Sequence, residues 1–304
     1  MRRERGGGGA VVNCDGRVLP AESGLISPLD RGFLFGEAVY ENLRTYGGEP
    51  LLFDQHLERL RRSAAFLGIP VPVSDAEITA RLEAARRTVG LGSEHSLRVI
   101  LTAGPEGGPP SLLVIVRPLP PLPVDPEREG VGVRFTGWRR AAPGGLPPEV
   151  KTNNLLIARL ATREAQAVGA HEGLLTNESG ELSEGATSNL FAVRGERVLT
   201  PPLESGLLPG ITRRLVFQVY GELGVRCEEA PLVPADLESA DEAFITSSSR
   251  EVLPVTWTSK AASAGGAPLR RRPVGSGRPG PITLRGLRAY RRAVARLLRS
   301  GAAR

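Results

Sequence analysis

Lysine is nearly absent: of 39 positively charged Lys and Arg residues, only Lys151 and Lys260 are lysines. Arginine cannot give up its proton near neutral pH or act as an amine nucleophile, whereas lysine can do both, so each lysine is a candidate for chemistry. Cysteine is just as scarce. Cys14 and Cys227 lie far apart, and His56, His95 and His171 are not clustered, so neither residue type has metal-ligand spacing. No metal site is expected, and two isolated thiols suit a reducing cytosol. The longest strongly apolar run is Leu112–Val116. That is far short of the roughly 18 residues of a membrane span, which excludes a transmembrane helix. No apolar stretch follows Met1-Arg2-Arg3-Glu4-Arg5, only glycines, so a secretory signal is not expected.

With 40% hydrophobic and 24% charged residues over 304 positions, the chain has the composition of a globular protein of about two domains. Its +6 charge is unevenly placed. Residues 269–304 hold eleven arginines and no acid, which leaves −5 for the remainder. Such a tail raises polyanion binding as an alternative, but a nucleic-acid partner is not expected, because an apolar stripe of the final helix can pack on the acidic body while its arginines stay in water.

The pattern predicts a flexible leader over residues 1–9, then a hairpin through Ala10–Val12 and Arg17–Leu19 about Asp15-Gly16. A strand follows near Ala38–Thr45. A helix starting at an Asp54 cap carries Leu57, Leu60, Ala64 and Leu67 inward, and a second runs from Ser74 to Val89. Strands at Leu97–Thr102 and Leu112–Val116 complete a small N-terminal α/β domain over 10–117. The Pro-rich stretch 118–126 is the expected linker, and 127–257 a larger second domain. In that domain a strand at Gly132–Phe135 precedes a helix capped by Thr152-Asn153 with Leu156, Ile157, Leu160, Ala161 and Ala165 inward. Strands at Glu172–Thr176, Ser188–Val193 and Arg197–Leu199 follow, then a helix opened by Gly210-Ile211-Thr212 and a strand at Glu242–Thr246. Residues 258–281 are expected to be loop or disordered, and 282–304 an amphipathic helix whose Leu287, Tyr290, Val294, Leu297 and Leu298 pack on the body. Strands and helices mixed throughout give a mixed α/β or α+β class.

Lys151 ends a Gly/Pro-rich loop before a helix. Burial there would favour the neutral amine that Schiff-base chemistry needs. Glu184 lies among small hydroxyl residues ahead of a strand, where a carboxylate could hold a protonated ring nitrogen. Gly210-Ile211-Thr212 places free N–H groups at a helix start, an anion site, and Ser247-Ser248-Ser249 offers more donors. Arg59 could add a cation, but so could Arg61 or Arg62. An amine for an aldehyde, an acid for a pyridine nitrogen and two anion cradles are together the needs of pyridoxal 5'-phosphate.

Six stretches, in order, resemble the class IV (fold type IV) pyridoxal-phosphate aminotransferases, which include D-amino-acid and branched-chain aminotransferases and aminodeoxychorismate lyase. They are Phe35-Gly36-Glu37-Ala38-Val39-Tyr40-Glu41, His56-Leu57-Glu58-Arg59-Leu60, Lys151-Thr152-Asn153-Asn154-Leu155-Leu156, Ser183-Glu184-Gly185 with Ser188-Asn189-Leu190-Phe191, Leu208-Pro209-Gly210-Ile211-Thr212-Arg213, and Phe244-Ile245-Thr246-Ser247-Ser248-Ser249. The resemblance implies two domains with the cofactor at their interface and a homodimer. It makes Lys151 the catalytic Schiff-base lysine and pairs Glu184 with the ring nitrogen. Arg59, Ile211, Thr212 and Ser248 hold the phosphate, and Tyr40, Ser248 and Ser249 face the substrate. The implied activity is ping-pong transfer of an amino group between an amino acid and a 2-oxo acid, with aminodeoxychorismate lyase chemistry, giving 4-aminobenzoate and pyruvate, as the alternative. One departure concerns the substrate: the loop Gly104–Pro110 has none of the Arg and His that the D-amino-acid branch carries there.

Overall fold

A computed structural model describes residues 9–90, 94–140, 145–260 and 270–301. It divides into two compact units. The first takes residues 1–121, 150–154 and 297–304; the second takes 122–149 and 155–296. Val150–Asn154, and with it Lys151, therefore groups with the first unit and not with the 127–257 segment.

In the first unit the elements are β1 (Val11–Cys14), β2 (Arg17–Pro20), α1 (Arg31–Leu34), β3 (Ala38–Tyr46), β4 (Glu49–Pro50), α2 (Phe53–Phe66), α3 (Asp75–Val89), β5 (His95–Thr102) and β6 (Ser111–Pro118). The six strands form one sheet in the order β2-β1-β6-β5-β3-β4. Asp15 and Gly16 both take positive φ, the conformation that a two-residue hairpin of this twist requires. Helices α2 and α3 bury Leu57, Leu60, Ala64, Ile78, Leu82 and Ala85 against Val39, Leu43, Leu97, Val99 and Val114 of the sheet. The Ser74 hydroxyl caps α3 by accepting the Glu77 N–H. Asp54 does not cap α2. The cap position is Leu52, in the left-handed region, and Asp54 sits in the first turn, where its charge favours the helix dipole.

The second unit contains β7 (Val131–Arg139), α4 (Leu156–Gln166), β8 (Glu172–Thr176), β9 (Leu182–Gly185), β10 (Asn189–Arg194), β11 (Arg197–Thr200), α5 (Ile211–Glu222), β12 (Arg226–Glu229), α6 (Pro234–Glu238), β13 (Glu242–Ser247), β14 (Glu251–Lys260) and β15 (Arg271–Pro273). The long α7 (Pro281–Arg299) follows, its last three residues grouping with the first unit. The sheet runs β12-β11-β10-β13-β14-β7-β8-β9, with β15 beside β14. Its core joins Val133, Leu174, Leu190, Ile245, Leu253 and Val255.

Three expectations are corrected here. Thr152-Asn153 does not cap α4, which begins after Leu155; Leu156 and Ile157 are exposed, and Ala161 and Ala165 are the buried positions. Within 258–281, residues 258–260 belong to β14, where β7 pairs with them, and 271–273 form β15, which pairs with β14; these ladders satisfy their backbone groups. Residues 261–269 of that stretch lie outside the described residues, as do 1–8 of the expected leader. On α7, Leu287, Tyr290 and Val294 are buried but Leu297 and Leu298 only partly so. Its arginines meet acids of the body: Arg288 and Arg291 bond Glu127, Arg291 also bonds Glu251, and Arg296 bonds Glu222. No helix among the described residues is long and apolar enough to cross a membrane, and no group of them has the make-up of a metal site.

Candidate active site

In the first unit the chain at Lys151 lies along β3. The Tyr40 N–H donates to the Lys151 carbonyl at 3.0 Å, the Asn153 N–H donates to the Ala38 carbonyl at 2.8 Å, and Val39 bridges Thr152. The Lys151 N–H donates to the Ser63 hydroxyl at 3.0 Å, which ties this segment to α2 as well. With its backbone fixed on both sides, Lys151 places Nζ 4.5 Å from the centre of the Tyr40 ring.

Alternation along β3 puts Val39, Glu41 and Leu43 on the core face, so Glu41 is a carboxylate at a core position, wholly buried. Its partners come from the α2 positions spaced to meet it. Arg59 donates from Nε and Nη2 to the two Glu41 oxygens at 2.6 and 2.8 Å, and His56 Nδ1 lies 2.6 Å from Oε2. Burial pushes the Glu41 carboxyl up, but the charge and hydrogen bonds of Arg59 and then of His56 outweigh it and hold the pKa at about 2. Burial lowers His56, Glu41 opposes this, and Arg59 and Lys151 push it down again. His56 is thus a neutral ring in this cluster at pH 7. The bidentate grip fixes the plane and direction of the Arg59 guanidinium.

Tyr40 is on the other face of β3, and Arg98 of β5 stacks on its ring, Cζ 4.1 Å from the ring centre, while Arg98 Nη2 donates to Asn153 Oδ1 at 2.7 Å. Glu41, His56 and Arg98 contact expected site residues, and the sequence reading does not single them out. Two of the signals are legible in retrospect: a charged residue at a core position of an alternating strand, and polar residues at 56, 59 and 63 along the buried stripe of a helix.

In the second unit Glu184 sits near the end of β9, about nine-tenths buried. Arg140 Nε lies 2.9 Å from Oε1, the Leu208 N–H donates to Oε2 at 3.0 Å, and Asn189 Nδ2 lies 3.5 Å away. Asn189 also donates to the Leu208 carbonyl at 2.9 Å, so the approach to α5 is fastened beside Glu184. Gly210 caps α5 with no side chain, and a Cβ there would stand 2.0 Å from Asn189 Oδ1. Glycine is required for this close approach. Ile211 and Thr212, both buried, open the helix, and their N–H groups have no intrahelical acceptor. The remaining candidates are on the turn between β13 and β14. The Arg250 N–H donates to the Ser247 carbonyl at 3.1 Å, Ser248 and Ser249 are the central residues, and Glu251 takes the left-handed conformation after them. The buried hydroxyls of Ser188 and Thr246, near this turn in the sheet register, have no hydrogen-bond partner among the described residues.

Of the expected site residues, Tyr40, Arg59 and Lys151 belong to the first unit, whereas Glu184, Ile211, Thr212, Ser248 and Ser249 belong to the second. Lys260 is half-exposed and pairs with Glu238 at 3.1 Å.

The family model for amino-transferase class IV matches residues 38–257. An aminodeoxychorismate lyase of Bacillus subtilis is 31% identical over 81% of this chain and 86% of its own length. A D-alanine aminotransferase of Bacillus licheniformis is 32% identical over 88% of this chain and 92% of its own. Among solved structures, a T.th. branched-chain amino acid aminotransferase complexed with N-(5'-phosphopyridoxyl)-L-glutamate is similar at a TM-score of 0.81 and 27% identity, covering 94% of each chain.

Proposed function

This chain belongs to the class IV aminotransferases, a pyridoxal-phosphate-dependent family, and from that premise we propose that Lys151 is the amine through which it moves an amino group between an amino acid and a 2-oxo acid. The observation that carries the reading is the fixation of Lys151 by β3 and Ser63, with Nζ over Tyr40, in a chain that has only one other lysine.

The side chains fit pyridoxal 5'-phosphate. The buried Ser188 and Thr246 hydroxyls, which have no partner among the described residues, the helix start at Gly210 with no side-chain cap, and the carboxylate of Glu184 suit a phosphate and a basic ring nitrogen. When bound, the cofactor supplies an aldehyde for the amino group and a ring that takes up the electron pair freed at the substrate α-carbon. Lys151 Nζ, as a free amine, takes the α-proton as general base and hands it on as general acid. Arg59, held by Glu41, carries charge for the phosphate, together with the Ile211 and Thr212 amides and Ser248. Glu184, held in place by Arg140 and the Leu208 N–H, holds the proton on the ring nitrogen. Tyr40 lines the substrate side with Arg98 across its ring, and the Ser248-Ser249 amides face the substrate carboxylate. Lys151→Arg keeps the charge but not the titratable amine, so it abolishes the half-reaction with amino donors while pyridoxal phosphate still binds; an active variant would overturn the assignment.

The lyase relative favours a second reading: elimination on aminodeoxychorismate with no 2-oxo acid acceptor. Formation of 4-aminobenzoate and pyruvate from that compound alone supports it, and a strict requirement for an acceptor removes it. We further infer a homodimer, supported by the exposed Leu25, Leu29, Phe33 and Phe35 of the first unit, and a cytosolic location, supported by two free cysteines.

A further inference from the structure

Arg250 is outside every residue role given above, yet its guanidinium makes five hydrogen bonds to four residues. Nε donates to Ser247 Oγ at 3.0 Å, Nη1 to Glu172 Oε2 at 2.6 Å and to His171 Nε2 at 3.0 Å, and Nη2 to the Thr187 carbonyl at 2.9 Å and Thr187 Oγ1 at 2.6 Å. Glu172 is itself buried, and its other oxygen accepts the Thr187 N–H at 2.5 Å. Accepting from an arginine at Nε2, His171 is a neutral ring with its proton on Nδ1. The donors of this fork land on Ser247, on Thr187 and on the residues at the head of β8. Ser247 begins the turn that carries Ser248 and Ser249. Thr187 lies between Glu184 and Asn189, and Asn189 fastens the entry to α5. Glu172 and His171 stand at the head of β8.

We propose that Arg250 is the positioning residue that sets the Ser248-Ser249 turn relative to the Thr187–Asn189 segment, so that donors on separate loops converge on one phosphate. The proposal rests on Ser248 and the start of α5 being phosphate ligands. The β13 ladders end at Thr246, paired with Asn189 of β10, and at Ser247, paired with Glu251 of β14, so Ser248 and Ser249 lie beyond the last paired residues, and in the contacts above Arg250 is the side chain that joins Ser247 to Thr187. The planar fork reaches Ser247, Glu172 and Thr187 at once, which a lysine ammonium at the same place cannot reproduce. The buried Glu172 keeps a cation beside it in Arg250→Lys, so that variant isolates geometry from charge.

The test compares binding of pyridoxal 5'-phosphate and of pyridoxal, which lacks the phosphate, to the cofactor-free full-length protein, followed by absorbance. The readout is the ratio of the two dissociation constants, which measures the phosphate's own contribution and is not moved by a general loosening of the fold. Arg250→Lys is expected to shrink that ratio about tenfold with pyridoxal binding nearly unchanged, as for loss of a bidentate charged contact. A parallel variant, Ser248→Pro, removes the Ser248 N–H and hydroxyl at a turn position that accepts proline, and is expected to shrink the ratio as well. If Ser248→Pro shrinks the ratio and Arg250→Lys leaves it at the parent value, the positioning role is wrong. If neither variant changes the ratio, the phosphate assignment beneath it is wrong and the proposal falls with it. If Arg250→Lys weakens both ligands equally, Arg250 is a structural tie only and the proposal is overturned.

Discussion

Replacing Glu41 by glutamine keeps the shape of the side chain and removes its charge from between Arg59 and His56. The native carboxyl is held at about 2, against an ordinary glutamate value near 4.5. That difference corresponds to about 3 kcal/mol of stability at pH 7. Because the folded value is the depressed one, this contribution is complete above the unfolded value and is lost as pH falls toward the folded value, between pH 4.5 and about 2. Glu41→Gln should therefore cost about 3 kcal/mol at neutral pH, in line with the ~3–5 kcal/mol of breaking a buried ion pair. The gap between parent and variant should narrow to roughly 1 kcal/mol at pH 3, since half or more of the linkage is gone there. Melting followed by circular dichroism from pH 7 to pH 3 reads this directly, with a midpoint lowered by roughly 6–12 °C at pH 7. A gap that stays constant over that range would refute an ionised Glu41 as the partner of Arg59.

Glu184→Gln should leave pyridoxal phosphate bound but slow α-proton removal on the order of 10²-fold in stopped-flow half-reactions, as expected for loss of a preorganised electrostatic partner. Arg98→Ala should raise KM for both amino acid and 2-oxo acid with a smaller change in kcat, and an unchanged KM would remove Arg98 from the substrate side. Leu287→Ala, at a fully buried position of α7, should destabilise by roughly 2–5 kcal/mol in thermal melts, whereas Leu297→Ala, only partly buried, should cost clearly less. Sedimentation should give twice the 32.3 kDa chain mass at micromolar concentration, and a single-chain mass in fully active protein would refute the homodimer.

Much of the fold is legible in the sequence because local chemistry agrees with the final packing. The Asp15-Gly16 hairpin, the Ser74 cap and the Gly210 start of α5 each follow from residues that can do little else. Where the reading fails, a tertiary contact overrides the local signal. Asp54 and Thr152-Asn153 have capping side chains, yet Leu52 in the left-handed region begins α2, and bonds to β3 hold residues 151–153 outside α4. The Ser/Gly/Pro/Arg composition of 258–281 conceals the end of β14, paired with β7, and the short β15, paired with β14. In the site, the reactive types are visible as Lys151 and Glu184, but their supports are not. Glu41 with His56, Arg98 with Asn153 and Arg250 with His171 pair across 15, 55 and 79 positions, and no short-range pattern reports such pairings.

The central claim is that Lys151 carries the cofactor. Borohydride reduction of the pyridoxal-phosphate-loaded protein, followed by peptide mapping, should leave a single phosphopyridoxyl label on Lys151 and none on Lys260, whose amine is half-exposed and paired with Glu238. A label on Lys260, or an unlabelled chain that still transaminates, would contradict the account.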